Sequence, residues 1–233
     1  MEKYRLEGKT FVIDDYDKMP AFSSFLPGLA GVKGIPMWTF YTNRGQGMNS
    51  FGIDNKGNAI MEFNSANTAF ENTTVKGFRT FLKIDGEYYE PFFKYEKEAK
   101  RQIRMNKNSF KIIETNEKYG IEVTVNYFIL PNESIGALIR QVSVKNISDK
   151  AKDVEIIDGL PKIITYGISN GEFKEMSNLF KSWAYIKNID NKVPYYTLRA
   201  STKDSAEVSD VEGGYYYLTI KDGKLQDVIY DVD

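Results

Sequence analysis

The sequence has no cysteine and no histidine among its 233 residues. Without cysteine there is no disulfide, no thiolate metal site and no cysteine nucleophile. Without histidine the commonest general base and the commonest transition-metal ligand are both missing. A surplus of one charge is lacking too: 31 Lys and Arg stand against 32 Asp and Glu, for a net charge of −1. A nucleic-acid binder ordinarily carries a basic surplus, so no nucleic-acid partner is expected. No dense Lys/Arg run marks a membrane surface, and no apolar run approaches the roughly 20 residues of a membrane span. The start, Met1-Glu2-Lys3-Tyr4-Arg5, lacks the apolar core of a signal peptide. The expected location is therefore the cytoplasm.

What is present is ordinary for a globular chain: 42% hydrophobic and 27% charged residues. Most of it reads as short strands broken by turns. Ile121, Val123, Val125, Tyr127 and Ile129 alternate with Glu122, Thr124, Asn126 and Phe128, the period of two that marks a strand with one buried face. Gly136 to Lys145 and Val154 to Ile157 read as the strands that follow, separated by the polar turn Asn146 to Lys150. Asp85-Gly86 joins Phe78–Ile84 to Glu87–Tyr89 as a hairpin, and Asp222-Gly223 does the same near the end. Asp54 to Asn58 joins Ser50–Ile53 to Ala59–Phe63. Strands at this spacing predict a large antiparallel β-sandwich.

Helix is scarce. One main helix is expected from Glu172 to Lys187, because Phe173, Met176, Phe180, Trp183 and Ala184 form one apolar stripe. Ser169 and Glu172 have capping-box spacing at its start. Trp183 is expected in the core, and a weaker helix is expected over Tyr95 to Arg101. With no repeat and no low-complexity linker, residues 1–233 read as a single β-sandwich domain. Val228-Ile229-Tyr230 resembles an unfinished strand, so the reading is a domain truncated at Asp233, by a cut or a split gene.

The most unusual stretch runs from Pro36 to Gly52. Gly45, Gly47 and Gly52 imply tight backbone or close approach. Asn43, Arg44 and Gln46 offer groups suited to sugar hydroxyls or phosphate. Trp38 and Tyr41 are placed to stack on a sugar ring. These five residues are the candidate substrate contacts; the competing reading is a strand–turn–strand corner with a structural Arg. Gly45-Gln46-Gly47 lacks the Gly-Lys-Ser/Thr of a P-loop. The tyrosine clusters at Tyr88-Tyr89, Tyr195-Tyr196 and Tyr215-Tyr216-Tyr217 fit either a carbohydrate platform or core and sheet-edge packing. Asp14-Asp15-Tyr16-Asp17 has no calcium-loop spacing and reads as a solvated turn, so no metal site is assigned. Glu62, Glu71, Asp158 and Glu172 are eligible as a carboxylate pair for glycoside chemistry, but spacing singles out none.

Several segments together resemble one family: Phe22-Ser23-Ser24-Phe25-Leu26-Pro27-Gly28, Tyr41 to Gly52, Gly77-Phe78-Arg79-Thr80-Phe81, Arg140 to Asn146, Asp158-Gly159-Leu160-Pro161 and Pro194 to Ser201. They resemble the N-terminal domain of cellobiose-phosphorylase-like enzymes, the inverting β-glucoside and β-glucan phosphorylases. The resemblance implies a galactose-mutarotase-like supersandwich followed by an (α/α)6 catalytic barrel, which is absent here. It implies cleavage of β-linked glucosides or oligoglucans by phosphate, giving glucose 1-phosphate. Inorganic phosphate would be the co-substrate and no cofactor would be needed. The catalytic Asp belongs to the barrel, so no catalytic residue is assigned. The implied role is a scaffold that packs on the barrel, supports a homodimer and lends the Asn43–Gly47 loop to the substrate. A free-standing carbohydrate-binding module is the alternative. An epimerase of the mutarotase kind is disfavoured, because such enzymes rely on His.

Overall fold

The computed structural model describes residues 3–94, 96–176, 178–203 and 205–230. They pack as two compact units: the described residues of Met1–Asp54 with Phe63–Lys162, and those of Asn55–Glu62 with Ile163–Asp233. The strands β1 (Tyr4–Glu7), β2 (Thr10–Asp14), β3 (Ser23–Ala30), β4 (Ile35–Thr42) and β5 (Met48–Ile53) belong to the first unit, and β6 (Ala59–Met61) to the second. The first unit resumes with α1 (Ala66–Lys76), β7 (Arg79–Ile84), β8 (Glu87–Tyr89), β9 (Ala99–Met105), β10 (Ser109–Asn116), β11 (Ile121–Ile129), β12 (Leu138–Asn146) and β13 (Val154–Gly159). The second unit continues with α2 (Asn170–Met176), α3 (Leu179–Trp183), β14 (Ala184–Lys187), β15 (Tyr195–Leu198), β16 (Tyr215–Tyr216), β17 (Ile220–Lys221) and β18 (Lys224–Leu225). The chain is mainly β and its sheets are antiparallel, as the sequence pattern predicts.

The first unit is a sandwich. One layer is a six-stranded sheet in the order β1-β2-β9-β10-β11-β12. Alternation decides which way its strands face. In β10, Phe110, Ile112, Glu114 and Asn116 are buried, and in β11, Ile121, Val123, Val125 and Tyr127 are. The opposing layer holds the β3-β4-β5 meander and a second sheet in the order β13-β7-β8. The layers meet through aromatic rings: Tyr41 of β4 stacks on Phe110 at 4.4 Å, and Phe78 lies 5.9 Å from Tyr127. Each fully buried large side chain in this core contributes about 1.5–3 kcal/mol relative to exposure.

The charged residues Arg101 and Glu114 also lie in this core, 2.6 Å apart. Their neighbours satisfy them. Glu114 accepts from the Phe92 amide at 2.7 Å and from the Tyr89 hydroxyl, while Arg101 donates to Asp17 at 3.0 Å and to the Lys94 carbonyl. Such a pair costs desolvation but is strongly destabilising to break. The acidic patch is distributed over separate partners: Asp14 faces Arg5 and Gln102, Asp15 faces Lys18, and only Asp17 faces Arg101.

Three expectations need correction. The apolar stripe near Glu172 is two short helices, and its end is strand β14; Ala184 to Lys187 pair with Tyr195 to Leu198 instead of continuing the helix. The Ser169–Glu172 capping box does form, with both hydrogen bonds present at 2.8 and 3.2 Å. Trp183 is only half-buried. Phe173 and Phe180 fill the core there, edge to face at 4.9 Å. The Tyr95–Arg101 helix is absent from its described part, because Ala99 onward is strand β9; Tyr95 itself lies outside the described residues. Ladder pairing with β10 outweighs the helix propensity of a Lys/Glu-rich run. Conversely, α1 has no apolar periodicity to reveal it. It buries only Ala69 and Thr73.

Of the hairpin signals, Asp85-Gly86 and Asp222-Gly223 hold. All four residues have positive φ, from 50° to 90°, as a two-residue turn of this kind requires. No helix in the described residues is long and apolar enough to cross a membrane.

Candidate functional site

The turn from β4 to β5 is the Gly-rich corner that stands out in the sequence. Its backbone doubles back tightly: the Thr42 amide donates to the Gly47 carbonyl at 2.8 Å, and the Gly47 amide to the Arg44 carbonyl at 2.9 Å. Gly47 has φ +80°, and a Cβ there would strike the Phe110 ring. Only glycine meets both demands.

The polar side chains of this corner turn inward. Asn43 is fully buried; its carbonyl accepts from the Phe22 amide at 2.9 Å, and its amide donates to the Tyr16 and Pro20 carbonyls at 3.0 and 2.9 Å. Half-buried Arg44 donates to the carbonyls of Asn43 at 2.8 Å and Met19 at 3.2 Å. Tyr16 completes the brace, donating its hydroxyl to the Gly45 carbonyl at 2.7 Å. Tyr41 points into the sandwich, with its hydroxyl 3.2 Å from the Met105 sulfur.

Gln46 joins a second cluster centred on Arg140 of β12, which spacing did not single out. The guanidinium donates to the Gln46 side-chain carbonyl, pairs with Asp158 of β13, and lies 5.0 Å over the Phe78 ring. It also donates to the Tyr127 hydroxyl at 3.2 Å. Thr80 closes the ring of contacts, 3.0 Å from the Gln46 amide and 2.6 Å from the Asp158 carboxylate. Burial pushes the Tyr127 phenol up to about 12, although Arg140 beside it acts in the opposite direction. The cluster is a saturated internal network joining the two layers. The other eligible carboxylates are dispersed: Glu172 is held in its capping box, and Glu62 stands 4.0 Å from Lys174.

Trp38 is the one residue of the candidate set that faces outward into an open groove. It lies on the outer face of β4, opposite Gly52 of β5, with its ring 5.6 Å from Phe63 at 87° and 6.4 Å from Phe25 at 66°. Phe40 fills the space between these rings, 4.9 Å from Phe25 and 5.6 Å from Phe63. The groove has a volume of about 380 Å³ and is lined by Gly28, Leu29, Pro36, Met37, Trp38 and Asp54. Asp54 puts an exposed carboxylate beside the apolar wall. Phe25 is 50% and Leu29 66% exposed on the same face, so the apolar surface continues along β3. In the sequence Phe25 stands only within a resembling segment and Asp54 only at a turn; the β3–β4 register sets Phe25 opposite Phe40, two residues from Trp38 on the same face, and such pairing leaves no local mark in the sequence.

No protein-family model matches the chain, and no significant match appears among curated proteins.

Proposed function

We propose that this chain is a carbohydrate-contacting, non-catalytic β-sandwich that serves as the N-terminal domain of an inverting glycoside phosphorylase acting on β-linked glucosides or oligoglucans. The observation that supports the reading is the groove at Trp38. An indole offers a flat apolar face for the C–H face of a pyranose ring. Asp54 at the rim is an acceptor for sugar hydroxyls. In this reading the Asn43–Gly47 corner braces the sandwich instead of reaching for substrate. Phosphate and the acid that protonates the leaving oxygen are handled by a barrel outside this chain.

A free-standing carbohydrate-binding module is the second reading. It is favoured by the shared exposed face of Phe25 and Trp38. One pair of experiments separates both readings from failure. Calorimetric titration with β-linked gluco-oligosaccharides is expected to show weak saturable binding that Trp38→Ala abolishes at a temperature where circular dichroism shows the variant still folded. Incubation of the chain with phosphate and the same glucans is expected to yield no glucose 1-phosphate. Product above a no-protein control overturns the non-catalytic assignment, and absence of binding overturns the carbohydrate assignment. A phosphorylase parent requires a barrel on the same gene product; a parent without one favours the module.

A further inference from the structure

The outer face of the β14-β15-β16 sheet carries a line of cations and tyrosines. Register decides which residues share it. Ala184 pairs with Leu198, and both are buried, so their face belongs to the core of the second unit. Alternation puts Tyr185 and Lys187 of β14 on the opposite face. Tyr195 lies there too, opposite Lys187, and Tyr216 of β16 lies opposite Tyr195. Arg199, just past β15, joins them with its guanidinium 5.4 Å from the centre of the Tyr185 ring. The Lys187 ammonium stands 5.3 Å from the same centre.

The rings are held in place and open to solvent. Tyr195 and Tyr216 lie 4.8 Å apart at 52°. A Cβ at Gly214 would come within 2.4 Å of the Tyr195 ring, so only glycine lets that ring lie against the chain. Tyr185 is 42% and Tyr216 63% exposed. The charge on this face runs against its surroundings. From Ile163 to Asp233 acidic residues outnumber basic ones, yet β14, β15 and β16 contain no Asp or Glu. Elsewhere in the unit Lys174 faces Glu62 and Lys192 faces Asp227. Among the described residues Lys187 and Arg199 have no carboxylate partner.

We propose that this face is a binding site for a short anionic oligosaccharide, a chain of uronic acid units. A pyranose ring lies against tyrosine through its C–H face, and carboxylates pair with the ammonium and the guanidinium. The register sets Arg199 and Lys187 on opposite sides of Tyr185, with their backbones about 13 Å apart along the strands. Cations so placed do not converge on one small anion. They suit anions in succession along a chain, with rings between them. A nucleic acid also alternates rings and anions, but it draws its affinity from many phosphates on a broad basic surface. The acidic surroundings of this face oppose that. The argument uses no part of the Trp38 groove.

The test is calorimetric titration of the whole chain with oligogalacturonate at low ionic strength. Weak saturable binding is expected, and it should fall as salt is raised. The methyl-esterified oligomer keeps the rings and loses the charge, so it should bind on the order of tenfold more weakly. Lys187→Gln with Arg199→Gln should weaken oligogalacturonate by a similar factor; both positions are exposed, so the melting temperature should match the parent. Tyr216→Ala should weaken it roughly fivefold, at a temperature where circular dichroism shows the variant folded. No binding at low salt overturns the proposal. So does equal binding of the esterified oligomer, or a double variant that binds as the parent does. Tighter binding of single-stranded RNA, lost in the same double variant, would assign the face to nucleic acid and overturn the saccharide.

Discussion

Replacing Asn43 by Ala should unfold the first unit several degrees early, and the size of the effect follows from its hydrogen bonds. The side chain is fully buried and satisfies three backbone groups within 3.0 Å: the Phe22 amide and the Tyr16 and Pro20 carbonyls. Alanine leaves the Phe22 amide and the Pro20 carbonyl without a partner, while the Tyr16 carbonyl keeps the Met19 amide at 3.2 Å. An orphaned buried group costs about 1–3 kcal/mol, and one nearer the surface recovers part of that from water. The sum is about 2–4 kcal/mol. For a unit of this size each 1 kcal/mol shifts the melting temperature by about 2–4 °C, so a loss of roughly 10 °C is expected by differential scanning calorimetry. Saccharide binding, measured well below the new transition, should be unchanged. A melting temperature within two degrees of the parent, together with lost saccharide binding, would refute the reasoning and return Asn43 to the ligand.

Arg44→Ala removes two carbonyl contacts from a half-buried side chain and should cost less than Asn43→Ala in the same calorimetric scan. Phe180→Ala should destabilise the second unit by about 3–5 kcal/mol, and Trp183→Ala by less, since Phe180 is buried and Trp183 half-buried; chemical denaturation of the pair checks the order. High pH should unfold the sandwich. Burial raises the Tyr127 phenol to about 12 from a usual value near 10, and burial raises Tyr16 and Tyr89 as well. The folded state therefore holds protons that the unfolded state releases. That contribution is complete below about pH 10 and is lost as pH climbs through about 12. Circular dichroism across that range should show cooperative loss of β signal, whereas an unchanged spectrum at pH 12 would contradict the burial of these phenols.

The strands were legible because alternation is a local signal. Ile121 to Ile129 reads directly as β11, and the Asp-Gly pairs read as turns because positive φ favours those residues. Helix boundaries were not legible. The stripe from Phe173 to Ala184 carries helical spacing into a segment that pairs as β14, and pairing with a distant strand leaves no local mark. The same limit governed the site. Residue types at Asn43, Arg44 and Gln46 suit a sugar as well as a backbone brace, and only the inward direction of their side chains separates the uses. Arg140 was invisible as the hub of a cluster because Gln46, Thr80 and Asp158 are 94, 60 and 18 positions away from it. Trp38 was legible as an aromatic, but its exposure was set by the β3–β4 register.

Intrinsic tryptophan fluorescence tests the central claim most directly. The chain has two tryptophans, so Trp183→Phe leaves Trp38 as the only indole reporter in the groove. Titration of that variant with β-linked gluco-oligosaccharides should give a saturable change in emission that maltose-type α-linked oligomers do not reproduce. Trp38→Phe, with Trp183 retained, should give none. A flat response from Trp38 up to tens of millimolar sugar, or an equal response from Trp183, would contradict a saccharide site on this face.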